Sequence, residues 1–283
     1  MSLEPRIRRL AALVPPRAML AVYHRPWLAG VMRGALNRVL PAGLNEVEIA
    51  RGPLRRFRLA LDLQHEKYLW LGTYEPWVCY TLERYLHPGD VAWDVGAFIG
   101  YHTLLMSRRV EHGSVLALEP DPKNAERLRR NLALNGVTNV KVLPVAAGVS
   151  RREAALERHP IHPSQTRVRA VGGTPCEVSQ LDDLLGSTSP PALVKVDVEG
   201  AEAEALAGAS EVLKSARPVW CIELHGETDE DVIEILRKTE YRCFRLGKGV
   251  DVPADLPVGG PCHILAFPNE RPPTVALERK GRV

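Results

Sequence analysis

No Cys-x-x-Cys pair occurs in this chain of 283 residues. Its five cysteines, Cys79, Cys176, Cys221, Cys243 and Cys262, are odd in number and scattered. That argues against a zinc ribbon, a thioredoxin-type redox pair and a disulfide framework, and reduced, mostly buried thiols are expected instead. No apolar run reaches the ~18 residues that a membrane-spanning helix needs. Met1 to Arg9 hold no continuous apolar segment before a cleavage site, so secretion is not expected. Net charge is small: 37 Lys+Arg against 34 Asp+Glu leave +3, too little by itself to argue for a nucleic-acid partner. Lysine is scarce, supplying 8 of the 37 cations. Internal repeats are absent, as are low-complexity tracts beyond a basic N-terminus. At 45% hydrophobic and 25% charged residues, the chain can bury a substantial core and is not disordered. A cytoplasmic protein is the expectation.

The first 45 residues differ from the rest. Arg6, Arg8, Arg9, Arg17, Arg25, Arg33 and Arg38 face a single acid, Glu4. Between Pro26 and Pro41, Leu28, Val31, Met32, Ala35, Leu36, Val39 and Leu40 recur at helical spacing. Residues 1–45 are therefore expected as a basic helical extension, a cap with solvated arginines. The alternative is a surface that touches anionic lipid at the inner membrane face. Residues 46–88 read as a β-hairpin and a helix leading into the core. Phe57, Leu59, Leu61 and Leu63 alternate with Arg56, Arg58, Ala60 and Asp62 after a Gly52-Pro53 turn. Glu75–Leu86 is helical, closed by Pro88-Gly89.

From residue 89 to about 270, short apolar runs alternate with helical patterns. Strands are expected at Val91–Val95, Ser114–Leu118, Val140–Ala146, Ala192–Val196, Val219–Leu224, Tyr241–Leu246 and Cys262–Phe267. Helices are expected at Tyr101–Val110, Pro122–Leu134, Glu202–Lys214 and Asp229–Thr239. Such alternation means an α/β fold, a mostly parallel doubly wound sheet covered on both faces. Its ligand binds at the strand C-terminal edge. Arg151–Cys176 reads as irregular, and residues 271–283 as a tail.

The chemistry gathers at that edge. Asp94-Val-Gly-Ala-Phe-Ile-Gly100 turns the first strand into the first helix, where glycines admit close approach and a helix N-terminus offers free N–H groups. Glu119, 23 residues past Gly96, ends the second strand, where an acid is placed to grip a ribose. A nicotinamide dinucleotide wants GxGxxG, but here Phe98 occupies the middle position and Asp94 would repel phosphate. S-adenosylmethionine suits both features better. At the fourth and fifth strand tips stand Asp197, Glu199, Glu202, Glu223 and His225, a plausible base or metal constellation. Each also has a bland reading as a cap or surface charge.

The string Pro88-Gly-Asp-Val-Ala-Trp-Asp-Val-Gly-Ala-Phe-Ile-Gly-Tyr101 resembles the signature of the FkbM family of S-adenosylmethionine-dependent methyltransferases. Glu119-Pro-Asp-Pro-Lys-Asn124, Leu181-Asp-Asp-Leu184 and Lys195-Val-Asp-Val-Glu-Gly-Ala-Glu202 are similar to its later blocks, in order, and Gly72-Thr-Tyr-Glu75 resembles the element it carries ahead of its first strand. The resemblance implies the class I sheet of seven strands, the last antiparallel in a hairpin with the one before. It implies a cofactor set of Glu75, Asp94, Gly96, Ala97, Phe98, Gly100, Glu119, Pro120, Asp121 and Ala146. In that set Asp94, Gly96 and Gly100 line the methionine end, Glu119 holds the ribose, and Asp121 or the Val145-Ala146 strand end flanks adenine. Family members usually carry Asn where this chain has Phe98, so a polar contact is lost or replaced. The implied activity is O-methylation of a sugar, glycolipid or natural-product hydroxyl. His225 is the expected base, because an ordinary imidazole pKa of about 6.5 suits neutral pH. Asp197 and Glu199 would orient it or hold a divalent cation. No metal set is assigned, though Asp197 and Glu223 are the side chains to hold one. Arg152, His159, His162, Arg158, Arg167 and Arg169 form either an acceptor lid or a solvated hairpin. Alternatives are N-methylation, nucleic-acid methylation (disfavoured by the missing Asp/Asn-Pro-Pro-aromatic tetrad), a membrane-associated adaptor without catalysis, and an NAD dehydrogenase.

Overall fold

The computed structural model describes residues 34, 37, 38, 40–158, 166–170, 172–226, 228–246, 262–271 and 273. The arginines from Arg6 to Arg33, the apolar stripe from Leu28 to Val39, His159, His162 and the tail beyond residue 273 lie outside the described residues, and with them the lipid-contact reading. Among the described residues no helix is long and apolar enough to cross a membrane. The chain divides into two units, Met1–Pro76 with Lys280–Val283, and Trp77–Arg279.

In the first unit, β1 (Leu44–Glu48) and β2 (Arg58–Asp62) form the expected hairpin, antiparallel from Leu44↔Asp62 to Glu48↔Arg58. A short helix, α1 (Lys67–Trp70), follows, and α2 (Pro76–Tyr85) leads out of the unit.

The second unit holds the seven-stranded sheet. Its strands are β3 (Val91–Val95), β4 (Ser114–Leu118), β5 (Val140–Leu143), β10 (Leu193–Val196), β11 (Val219–Leu224), β12 (Tyr241–Arg245) and β13 (Cys262–Pro268), in the spatial order β12-β13-β11-β10-β3-β4-β5. Six run in one direction, and β13, reversed, pairs antiparallel with both β11 and β12, as the resemblance implied. Between the strands lie α3 (Tyr101–Val110), α4 (Pro122–Leu134), α5 (Glu202–Ala207) and α6 (Asp229–Lys238). The central strands are apolar because both faces are covered. Trp93, Val95, Leu116, Leu118, Val194, Val196, Trp220 and Ile222 share one buried cluster. Two buried charges break that pattern, Asp94 on β3 and Lys195 on β10, in parallel register with each other. The strand order reverses between β3 and β10, so the first turn, Glu119 and the acid-rich tips fall along one edge.

Three expectations need correction. Val140–Ala146 is not one strand: β5 ends at Leu143, and β6 (Val145–Ala147) belongs to another sheet. Pro144 has no N–H to continue the ladder, so pairing changes there. Nor is Arg151–Cys176 irregular. With β7 (Arg152–Glu157), β8 (Arg167–Arg169) and β9 (Thr174–Ser179), β6 makes a second, four-stranded sheet in the order β6-β9-β7-β8. Its inner side buries Ala146, Ala154, Leu156, Cys176 and Val178. Its outer side carries ion pairs such as Arg169–Glu157 at 2.7 Å and Arg151–Glu177 at 2.8 Å. The helix expected over Glu202–Lys214 is also shorter, giving way after Ala207 to a wider turn at Val212–Ala216.

Candidate active site

The glycine turn is shaped by the protein's own packing. Gly96 has φ 80°, and its N–H and that of Ala97 both donate to Leu118 O, at 3.0 and 2.9 Å. A Cβ on Gly96 would stand 1.8 Å from Asp197 O, so the turn lies directly against the β10 tip. We expect Gly96→Ala to cost about 2–4 kcal/mol in urea unfolding, because clash adds to left-handed strain. Gly136 has φ 65° and open space around it, so Gly136→Ala should lose only the strain, about 1 kcal/mol. Equal losses would dismiss the clash.

Phe98 is half-buried and sits in the left-handed region at φ 49°. Asparagine tolerates that conformation better than most residues, so the backbone itself gives a reason for Asn there. The Phe98 N–H donates to Glu119 Oε2 at 2.8 Å, and the Asp121 N–H donates to Oε1 at 2.9 Å. Glu119 therefore turns toward the glycine turn. Burial pushes its pKa up to about 8, against the pull of these two backbone bonds.

The other expected cofactor residues are placed as follows. Asp94 is fully buried: Thr103 Oγ1 donates to its Oδ2 at 2.6 Å, and Lys195 Nζ lies 3.4 Å from Oδ1. Its carboxylate thus faces protein. Ala97 is buried, Pro120 half-buried, and Gly100 caps α3 with φ 90° against Leu128. Asp121 caps α4, accepting from the Lys123 and Asn124 N–H groups, and is paired with Arg158. Ala146 packs in the small sheet opposite Val178. Glu75 belongs to the first unit, with φ 37° just before α2.

The β10 and β11 tips converge on His225. Its Nδ1 lies 2.9 Å from Glu202 Oε1. Its Nε2 lies 3.6 Å from Glu199, 3.8 Å from Asp197 and 3.9 Å from Glu223. Burial lowers the imidazole pKa, but the hydrogen bond and charge of Glu202, with Glu223 and Asp197, outweigh it and carry the pKa to about 9. At neutral pH the ring therefore holds its proton. The expectation of an ordinary imidazole is corrected: four acids around one ring make the imidazolium the stable form. Glu199 moves up instead, by burial, with the charge of His225 opposing.

Sequence alone names Glu202 among the strand-tip acids without giving it a role, and does not single out Lys195 at all. Glu202, with no exposed surface, accepts from the Val198 and Gly200 N–H groups at 3.2 and 3.1 Å while holding His225. Lys195 bridges Asp94 and Asp197, at 3.4 Å from each. A lysine between Val194 and Val196 in an otherwise apolar central strand was the available signal.

The family model described as Methyltransferase FkbM domain matches residues 94–243. The chain belongs to the FkbM family. The FkbM match takes in every cofactor and cluster residue above except Glu75. Over 157 residues the chain is 34% identical to the hexuronic acid methyltransferase AglP of Haloferax volcanii, covering 53% of this chain and 63% of that protein. It is 29% identical over 140 residues to Methyltransferase 1 of Beauveria bassiana, covering 41% and 56%. The chain thus spans less than two thirds of the curated relatives' length. The solved structure of methyltransferase FkbM from Methylobacillus flagellatus KT aligns at 19% identity and a TM-score of 0.45, over 74% of this chain and 56% of that one.

Proposed function

We propose that this chain transfers a methyl group from S-adenosylmethionine to a hydroxyl of a sugar-type acceptor. FkbM membership supports the reaction class. The observation that carries the reading is the bond from the Phe98 N–H to Glu119, which ties a strand-tip acid to the glycine turn. The donor set fits a nucleoside without phosphates. Glu119 is an acid, and no lysine or arginine occurs from Asp94 to Tyr101 to meet a phosphate. When bound, S-adenosylmethionine supplies an electrophilic methyl group, whose bond to sulfur breaks with its electron pair left on sulfur as the acceptor oxygen bonds to carbon.

This chain's residues do the rest. Glu119 accepts the ribose hydroxyls, and the backbone from Gly96 to Gly100 forms the wall beside them. Asp94 works from behind, fixing Thr103 and Lys195. The carboxylates around His225 position the acceptor hydroxyl, and Glu199 takes its proton, because the imidazole already carries one. Positioning of this kind is worth roughly 7–11 kcal/mol of barrier, and a base adds about 10²–10⁴-fold. The acceptor class follows the Haloferax relative, whose name specifies a hexuronic acid.

Calorimetry with S-adenosylmethionine tests the cofactor. A Glu119 protonated below about pH 8 offers one acceptor fewer, so affinity should rise as pH climbs through that value, with proton release on binding below it. Absence of binding heat from pH 7 to pH 9 would overturn the reading, as would labelled methyl entering nucleic acid but no glycan.

A further inference from the structure

We propose that Asp197, Glu223 and His225 form a binding site for a divalent cation of the manganese class. One donor atom from each lies within 4.8 Å of the other two. Donors sharing an ion at about 2.1 Å stand roughly 3–3.4 Å apart, so closing the set needs only side-chain adjustment. His225 supplies an independent pointer. Its side chain is nine-tenths buried, 10% exposed, yet its Nε2 makes no hydrogen bond among the described residues. That nitrogen instead faces three carboxylates at 3.6–3.9 Å, too long for hydrogen bonds, and an ion entering the cluster takes its lone pair as the imidazolium proton leaves to solvent.

The other face of the ring is built as metal-binding imidazoles usually are. Glu202 holds Nδ1 at 2.9 Å, and a carboxylate in that place fixes ring orientation and raises ligand basicity. Charge points the same way. Four acids, Asp197, Glu199, Glu202 and Glu223, crowd one imidazole. Among the described residues, the cations that act on these acids include Lys195, shared with Asp94 at 3.4 Å, and Arg167, whose charge acts on Glu199. His263 lies 3.4 Å from Glu223. Two carboxylates with one imidazole favour manganese over magnesium, which prefers oxygen throughout.

Three protein donors leave positions in a six-coordinate shell for acceptor oxygens. The site therefore suits a vicinal diol or a hydroxy acid. There the ion would polarise the hydroxyl and ease loss of its proton to Glu199. Only this last role rests on the methyltransferase reading.

The test is Mn²⁺ titration of the full chain, without S-adenosylmethionine, followed by the free-ion electron paramagnetic resonance signal. One equivalent should be taken up. Asp197→Asn and Glu223→Gln should each weaken uptake at least about tenfold while their circular-dichroism melts stay cooperative. Glu234→Gln, on an exposed α6 side chain paired with Lys238, should leave uptake unchanged. An undiminished free-ion signal with stoichiometric protein overturns the site, and so does equal uptake by both ligand variants. Calorimetry with S-adenosylmethionine in EDTA is read separately, so failure of the cation site and failure of the methyltransferase reading are distinguishable.

Discussion

Glu199→Gln should lower turnover by about 10²–10⁴-fold, the usual worth of a positioned base, and leave the affinity for S-adenosylmethionine within about twofold. Glu199 stands in the turn after β10 with φ 55°, its side chain 16% exposed and its Oε2 3.6 Å from His225 Nε2. Among the described residues, unlike Glu202, it caps no turn and holds no ring. Asp197 is engaged by Lys195 at 3.4 Å, and Glu223 by His263 at the same distance. Glutamine keeps the volume and one acceptor oxygen but cannot take a proton. The loss should therefore fall on kcat, with KM for the acceptor nearly constant. Comparing single-turnover methyl transfer by Glu199→Gln and the parent chain checks this. Undiminished turnover would move the proton to another group, and the base assignment would fail.

The parallel sheet was legible because its strands are short and apolar, with turn residues between them. Burial on both faces leaves little else that such runs could be. Val91–Val95, Ser114–Leu118 and Val219–Leu224 accordingly fall at the expected bounds. The small sheet was opaque for the converse reason. β7 is RE-AAL-E and β8 only Arg167–Arg169, so the alanines carry almost no periodic signal and the charges suggest a loop. Their inward face becomes visible only when Val178 of β9 lies opposite Ala146 of β6 and Arg152 of β7. At the candidate site, residue types at strand tips pointed to the edge. Which acid does what could not be read from them, because Asp94, Asp121 and Glu202 look alike in sequence. Depth separates them. Asp94 is locked between Thr103 and Lys195, Asp121 caps a helix, and Glu202 holds a ring.

That last distinction predicts a large stability effect. Glu202→Ala should cost about 3–5 kcal/mol, because removing one partner from a buried charge pair leaves the other uncompensated. The Glu202 carboxylate has no exposed surface, and three groups depend on its Oε1: the Val198 N–H, the Gly200 N–H and His225 Nδ1. Without it the turn from Asp197 to Gly200 loses its internal cap, and Gly200, at φ 104°, loses its hydrogen bond there. A cost of this size in a domain of about 200 residues lowers Tm by roughly 10 °C. Glu202→Gln is the discriminating partner. Its amide oxygen can still accept from both backbone N–H groups, and the amide nitrogen takes the place of Oε2, which has no hydrogen-bond partner. Most of the stability should return, while the imidazolium loses its nearest counter-charge and its pKa falls from about 9. An NMR titration of His225 in Glu202→Gln should show that fall, and an unchanged midpoint would mean that Glu202 supports the turn alone.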